Sequence, residues 1–236
     1  MAGRSLTPFY WALALVAVGG GIFVARSAAN RQPQLTSDTV APPVTGPRGV
    51  VMGPDSAKVE IMEFSDFECP WCGRFAVLQM PDVKARLLTT GRVRWRFVNF
   101  PLSGHTKSPY AHLAASCANE QGRFWEMHDL IYQNQEDWVN STSSERMIDG
   151  YSERVGLDPA RYASCIKERR TWGQVAADKA LGESLHFNGS PTFFVNGRML
   201  PDTLHVTVDV LKRIVDSLAP ATAAPATGAA RPPARP

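Results

Sequence analysis

Residues 59–73, VEIMEFSDFECPWCG, decide the fold. Val59 to Phe67 is a β-type run with several apolar positions, and it stops where Glu68-Cys69-Pro70-Trp71-Cys72-Gly73 begins. Beyond it Phe75, Leu78, Val83 and Leu87 recur at helical spacing, and Pro81 is expected to kink that helix by freeing the carbonyl of Val77. The two cysteines therefore stand at a strand-to-helix junction. Val93 to Leu102 (VRWRFVNFPL) alternates and predicts a second strand, which closes a parallel, right-handed βαβ unit.

That junction gives the cysteines a chemistry. At a helix N-terminus, unpaired backbone N–H groups and the macrodipole stabilise an anion, so the first cysteine of the pair can ionise well below an ordinary thiol. Cys69 is thus the expected nucleophile. Cys72, a turn into the helix and less exposed, would attack the Cys69 sulfur and resolve a mixed disulfide. Pro70 suits the first helical turn and restricts the loop. An inert disulfide or half of a zinc site would use the same spacing. A tetrahedral cysteine site needs two further ligands, commonly a second close pair, whereas Cys117 and Cys165 lie far apart in the chain and the five histidines show no metal-type pairing.

Downstream the period is helical. Ser108-Pro109 reads as a cap and first-turn proline ahead of Tyr110, Leu113, Ala114 and Cys117 on one face. Phe124, Met127, His128 and Ile131 form the next stripe, and Thr142 with Glu145 has capping-box spacing ahead of Met147, Ile148, Tyr151 and Val155. Asp158-Pro159 opens a helix carrying Tyr162, Cys165 and Ile166, and Thr171 is a cap for one more. Then strands return: Thr192 to Asn196 and Arg198 to Leu200 flank Asn196-Gly197, the strongest short hairpin signal. An amphipathic helix with Val210, Leu211, Ile214 and Leu218 inward closes the domain. The fold class is α/β, in the order β-α-β, an insertion of four or five helices at about 103–187, then β-β-α.

The whole chain has 236 residues, four cysteines, 44% hydrophobic and 20% charged residues and a formal charge of +3. This composition excludes an intrinsically disordered chain, a disulfide-knot miniprotein and a polytopic membrane protein. So small a charge gives no reason to expect nucleic acid as a partner. Residues 1–26 contain an uncharged run from Ser5 to Ala25, about 31 Å long as a helix and enough to span a bilayer's hydrocarbon core. Ser27-Ala28-Ala29 is also a plausible cleavage site, so the segment reads as a membrane anchor or a signal peptide. Residues 27–47 and 219–236, rich in Pro, Ala, Thr and Gly, read as a disordered linker and tail. The folded domain is then 48–218.

FSDFECPWC (64–72), CANEQGRFWEMHDLIYQNQ (117–135) and SPTFFVNGR (190–198) together resemble the DsbA-like branch of the thioredoxin-fold thiol–disulfide oxidoreductases. The resemblance implies a thioredoxin-like fold with a helical insertion. It makes Cys69 the exposed nucleophile, Cys72 its buried partner and Pro191 a cis-proline facing both, with the Ser190 backbone pairing to an extended substrate strand next to Pro70 and Trp71. Glu63 matches the acidic residue behind the active site, a carboxylate able to take or relay the resolving cysteine's proton, although a strand glutamate can also simply face solvent. Cys117 and Cys165 fall where similar proteins carry cysteines, and a structural disulfide between two inserted helices is expected, with two buried free thiols as the alternative.

One departure concerns the residue between the cysteines. Strong oxidants of the family have histidine there, whereas this chain has Trp71, which brings no charge to a thiolate, and an ionised Glu68 would oppose one. Each pKa unit lost is worth about 1.4 kcal/mol, or about 30 mV for a two-electron couple, so an oxidant of intermediate strength is expected. Trp125 and His128 read as core residues; no role is assigned to His105 or His112. The implied function is disulfide formation or exchange in cysteine-containing extracytoplasmic proteins, without a cofactor, reoxidised by a quinone-linked membrane partner or supplied by an electron donor. A reductase or isomerase using the same residues, and a non-catalytic peptide-binding module, are the alternatives.

Overall fold

The computed structural model describes residues 48–187, 189–201 and 205–220. The apolar run at 5–25, the linker and nearly all of the tail lie outside them. Among the described residues no helix is long and apolar enough to cross a membrane.

The elements are β1 (Val50–Met52), β2 (Val59–Ser65), α1 (Pro70–Leu78), α2 (Met80–Arg86), a 3-10 turn (Leu88–Thr90) and β3 (Val93–Asn99). The helical insertion follows as α3 (Ser108–Asn119), α4 (Phe124–Gln133), α5 (Gln135–Asn140), α6 (Ser144–Arg154), α7 (Pro159–Glu168) and α8 (Trp172–Ser184). The chain returns to the sheet as β4 (Thr192–Val195) and β5 (Arg198–Met199), then ends in α9 (Val208–Leu218). One five-stranded sheet has the order β1-β3-β2-β4-β5. β2 and β3 are parallel, with Val59 opposite Val93 and Ser65 opposite Asn99, whereas the other pairings are antiparallel. Asn196 and Gly197 both take positive φ, as the expected hairpin turn requires.

β2 is central and buried on both faces. Val59, Ile61, Trp95, Phe193 and Val195 pack with Phe75, Met80, Val83, Leu211 and Ile214 from α1, α2 and α9. Met62, Phe64, Val98, Phe100, Phe187 and Phe194 form a second apolar cluster. A third, around Phe67, Phe97, Phe124, Met127 and Trp138, fills the insertion. Burial of each large side chain contributes about 1.5–3 kcal/mol, which holds the end of β2 rigidly between layers.

Several local expectations change. Pro81 does not merely kink a helix: the Gln79 amide bonds Phe75 O, the Val83 amide bonds Gln79 O, and the chain breaks into α1 and α2. β1 went unpredicted because it has only three residues. Its flanking Gly49 and Gly53 take positive φ, and a Cβ at either would run into the carbonyls of Phe97 or Val93. The insertion holds six helices, since the Phe124 stripe ends at Asn134 and α5 starts afresh. Ser108 does not cap α3: its hydroxyl donates to Asp66, and the Glu68 carboxylate accepts from the Lys107 and Ser108 amides instead. The Thr142/Glu145 capping box does not form, because α6 starts at Ser144 and the Ser143 amide bonds Ser141 Oγ. Thr171 makes no side-chain cap, and Leu218 is 43% exposed at the end of α9 rather than inward. Asp158 does cap α7, accepting from the Arg161 amide at 2.8 Å.

Cys117 on α3 and Cys165 on α7 are bridged, with Cα atoms 5.8 Å apart. Closing a loop of this length constrains the unfolded chain, so replacing both by alanine is expected to lower unfolding stability by about 3 kcal/mol. Urea titration of the double variant checks this, and an unchanged midpoint would remove the bridge from any stabilising role.

Candidate active site

The site forms where β2 gives way to α1. Cys69 stands at the N-cap of α1 with extended backbone (φ −73°, ψ 122°), and Pro70 follows at the first helical position, where its missing N–H costs nothing. The Cys69 amide bonds Asp66 O at 3.1 Å and its carbonyl accepts from the Gly73 amide at 3.0 Å, so the turn is tied at both ends. Gln135 fastens it from the insertion, its Nε2 donating to Phe67 O at 2.7 Å and Cys69 O at 2.9 Å. Gly73 leaves room for that amide: a Cβ there would push the end of the Gln135 side chain aside.

Both cysteines are free thiols, 5% exposed for Cys69 and 0% for Cys72. The sequence reading made Cys69 the exposed member; it is the more accessible of the two but largely covered. The reason is the facing loop, where Ser190–Pro191 is a cis peptide and the Cys69 thiol donates to Ser190 O at 3.3 Å. A hydrogen bond from Cys72, working against desolvation, with smaller help from the Ser190 hydroxyl and the Cys72 and Trp71 amides, brings the Cys69 pKa down to about 6. The helix amides contribute, but the neighbouring thiol leads, which the helix-dipole argument alone missed. Burial and the proximity of Cys69 hold the Cys72 thiol well above the ordinary range. The buried Ser190 hydroxyl has no hydrogen-bond partner among the described residues while both sulfurs are thiols, so it is available to a thiolate.

Trp71 is 66% exposed. It borders a groove of about 590 Å³ with Arg74, Phe75, Leu78, Pro191 and Phe193, and the Arg74 guanidinium lies 5.9 Å from its ring centroid. An apolar floor beside Ser190 and Pro191 suits an extended peptide.

Glu63 does not face solvent. It is fully buried; Trp95 Nε1 donates to its Oε2 at 3.0 Å, and Oε1 has no partner among the described residues. Burial raises its pKa to about 7, against the lowering influence of the Ser65 hydroxyl and of Trp95 Nε1.

Asp66, fully buried, was not singled out by sequence. Its Oδ1 accepts from the Glu68 amide (2.8 Å) and Ser108 Oγ, its Oδ2 from the Leu102 amide (2.8 Å) and His105 Nδ1 (2.6 Å), and its amide approaches Cys72 Sγ at 3.5 Å. His105 therefore has a partner: although desolvation lowers its pKa, Asp66, assisted by Glu68 and Cys69, raises it overall. Glu68 caps α3, so its charge is engaged there rather than left free beside Cys69. His112 is buried, pushed down to about 4 by burial, and its Nδ1 pairs with Asn99 Oδ1 at 2.8 Å. His128 is buried in the aromatic interior with Nδ1 paired to Asp129 Oδ1 at 2.9 Å, but its buried Nε2 has no partner among the described residues, and Trp125 is half-buried against it rather than in the core. Asp66, His105 and Gln135 carried only weak local signals, since their partners come from segments far along the chain. Among the described residues no cluster of His, Cys, Asp or Glu is arranged to hold a metal ion.

The chain matches a family model described as Thioredoxin over residues 45–217. It is 29% identical over 172 residues to a "Probable disulfide bond formation protein D" of Bacillus anthracis, covering 70% of this chain and 76% of that protein. It is 38% identical over 159 residues to Na(+)/H(+) antiporter NhaA 3 of Salinispora tropica, covering 66% of this chain but only 23% of the antiporter, so the chain spans under a quarter of that relative. Among solved structures it resembles oxidised BdbD of Bacillus subtilis (TM-score 0.63, 22% identity, 74% of this chain and 96% of that one). The Wolbachia pipientis alpha-DsbA1 structure is equally similar (TM-score 0.63, 17% identity, 75% and 93%). At these identities the structures share the fold.

Proposed function

The chain belongs to the DsbA-like branch of the thioredoxin family, and from that membership we propose that it is a thiol–disulfide oxidoreductase acting on cysteine-containing extracytoplasmic proteins. The observation that carries this reading is the opposed poise of two adjacent sulfurs beside a cis-proline: Cys69 held toward the thiolate, Cys72 toward the thiol. In the oxidising direction a substrate thiolate attacks Sγ of Cys69 in the Cys69–Cys72 disulfide, and Cys72 leaves as a thiolate. A second substrate thiolate then attacks the substrate sulfur of the mixed disulfide, and the product disulfide departs with Cys69 as thiolate. The low pKa of Cys69 makes it the better leaving group in that step, whereas Cys72 is protonated once expelled. Glu63 is the nearby acid suited to supply that proton, Pro191 and Ser190 align the substrate strand, and Trp71 with Pro70 borders it.

The uncharged run at 5–25 serves in this reading as a single anchor, or before cleavage as a signal, delivering the domain to a compartment where disulfides persist. Regeneration there calls for a membrane redox partner, a quinone-linked oxidase for net oxidation or an electron donor for net exchange.

The redox potential of the Cys69–Cys72 pair tests the reading. Ordinary thiols ionise near 8.5, thioredoxin's nucleophile near 7 and the strongest oxidant's near 3.5, so a Cys69 near 6 places the couple between those two proteins' potentials of about −270 and about −120 mV, nearer the former. Equilibration against glutathione measures it; a potential at or below thioredoxin's would replace the oxidase with a reductase.

A further inference from the structure

Buried behind the cysteines are two hydroxyls that the exchange steps leave unused. Ser65 follows Glu63 by two residues on β2, so both side chains emerge on the same face of the strand. Ser65 Oγ and Tyr132 OH are 3.0 Å apart, and either can donate. Both residues are buried, at 0% and 3% exposure. Tyr132, on α4, also lines a cavity of about 270 Å³ shared with Ala76, Met80, Lys84 and Asp129. Lys84 and Asp129, paired at 2.6 Å, have side chains one-third exposed, so this cavity reaches water on the side of α1 away from the substrate groove. Glu63 itself is sealed: Trp95 occupies Oε2, and Oε1 has no partner among the described residues.

We propose that Ser65 and Tyr132 form the proton path between Glu63 and solvent, reloading Glu63 after it has protonated the departing Cys72. This rests on the oxidoreductase reading above. The step balances as follows. A substrate thiolate forms a bond to Cys69 Sγ, the Cys69–Cys72 bond breaks and Cys72 leaves with the electron pair. The Glu63 carboxyl gives its proton to Cys72, becoming a carboxylate. Ser65 then passes its hydroxyl proton to Glu63, Tyr132 passes its own to Ser65, and a water in the cavity restores Tyr132, so one solvent proton is consumed and both hydroxyls are unchanged. Hydroxyls suit the task because each is donor and acceptor at once and carries no charge that burial would penalise. Neither residue touches substrate; both position and relay a proton.

The test is a single turnover of the full-length oxidised protein with reduced glutathione, followed in parallel by tryptophan fluorescence for disulfide cleavage and time-resolved infrared for the protonated Glu63 carbonyl. The Glu63→Gln variant identifies that band. In the parent, recovery of the carboxylic acid band should keep pace with cleavage. Tyr132→Phe and Ser65→Ala should each slow the recovery at least about tenfold, the scale on which a positioned proton donor acts, while the first cleavage rate and the equilibrium constant with glutathione stay within twofold of the parent. Recovery at the parental rate in either folded variant overturns the path. So does a change in potential that accounts for the slowing, since that marks an electrostatic or packing effect. Should Tyr132→Phe not fold, Ser65→Ala, which deletes one small oxygen, decides alone. A parent that does not react with glutathione at all would instead bring down the oxidoreductase reading, which separates the two failures.

Discussion

Cys69→Ser is expected to bring thiol–disulfide turnover to the detection limit while leaving the fold intact. A serine hydroxyl is nearly isosteric with the thiol but can form no bond of the required kind with a substrate sulfur, and no other described free thiol is accessible enough to substitute, since Cys72 is completely buried. Cys72→Ser should behave differently. Cys69 still attacks, but the resolving sulfur is missing, so a mixed disulfide with substrate accumulates and is visible by intact mass. Cys72→Ala, which unlike serine keeps no donor at position 72, loses the leading hydrogen bond that holds Cys69 down. The Cys69 pKa should therefore rise by about one unit or more, read from the pH dependence of alkylation. Residual turnover in Cys69→Ser would sink the nucleophile assignment; an unmoved pKa in Cys72→Ala would show that Ser190 and the helix amides suffice.

Glu63→Gln is expected to stabilise the protein, and to do so increasingly as pH rises from about 4.5 to about 7. Folded Glu63 keeps its proton up to about pH 7, whereas in the unfolded chain it releases it near 4.5. Between those values the folded state binds more protons, so stability falls as pH rises through the window. The accumulated loss is about 3 kcal/mol once pH exceeds the folded value. A glutamine has no proton to lose there and can still accept from Trp95 Nε1. Urea unfolding of the reduced protein should thus show the variant about 3 kcal/mol above the parent at pH 8 and near it at pH 4. Parallel pH–stability curves for the two proteins would rule out a raised Glu63. The variant should also lose rate in the step that expels Cys72, so that gain in stability and loss of activity separate a functional carboxyl from a structural one.

The same contrast runs through the rest of the molecule. The βαβ unit, the hairpin at Asn196-Gly197 and the apolar stripes of Phe124, Met127 and Ile131 were legible because each depends on spacing within a dozen residues. Helix caps were read poorly. Ser108 and Thr142 have the right chemistry for a cap, but Asp66 claims the Ser108 hydroxyl and Glu68 takes over the α3 amides, both from a turn some forty residues earlier. β1 escaped notice for a related reason: three residues have no periodicity, and only pairing with β3 makes them a strand.

Within the site, local sequence determined that Cys69 would begin a helix and that Pro70 would follow it, since backbone geometry at a strand-to-helix junction is set by adjacent residues. The family likeness of three separated segments added Pro191 and Glu63. Only the tertiary structure decided how the charges are tuned. The Cys69 thiolate and the Glu63 proton each depend on desolvation and on hydrogen-bond partners that come from β3 and the Ser190 loop, and neither quantity exists until the layers close around them.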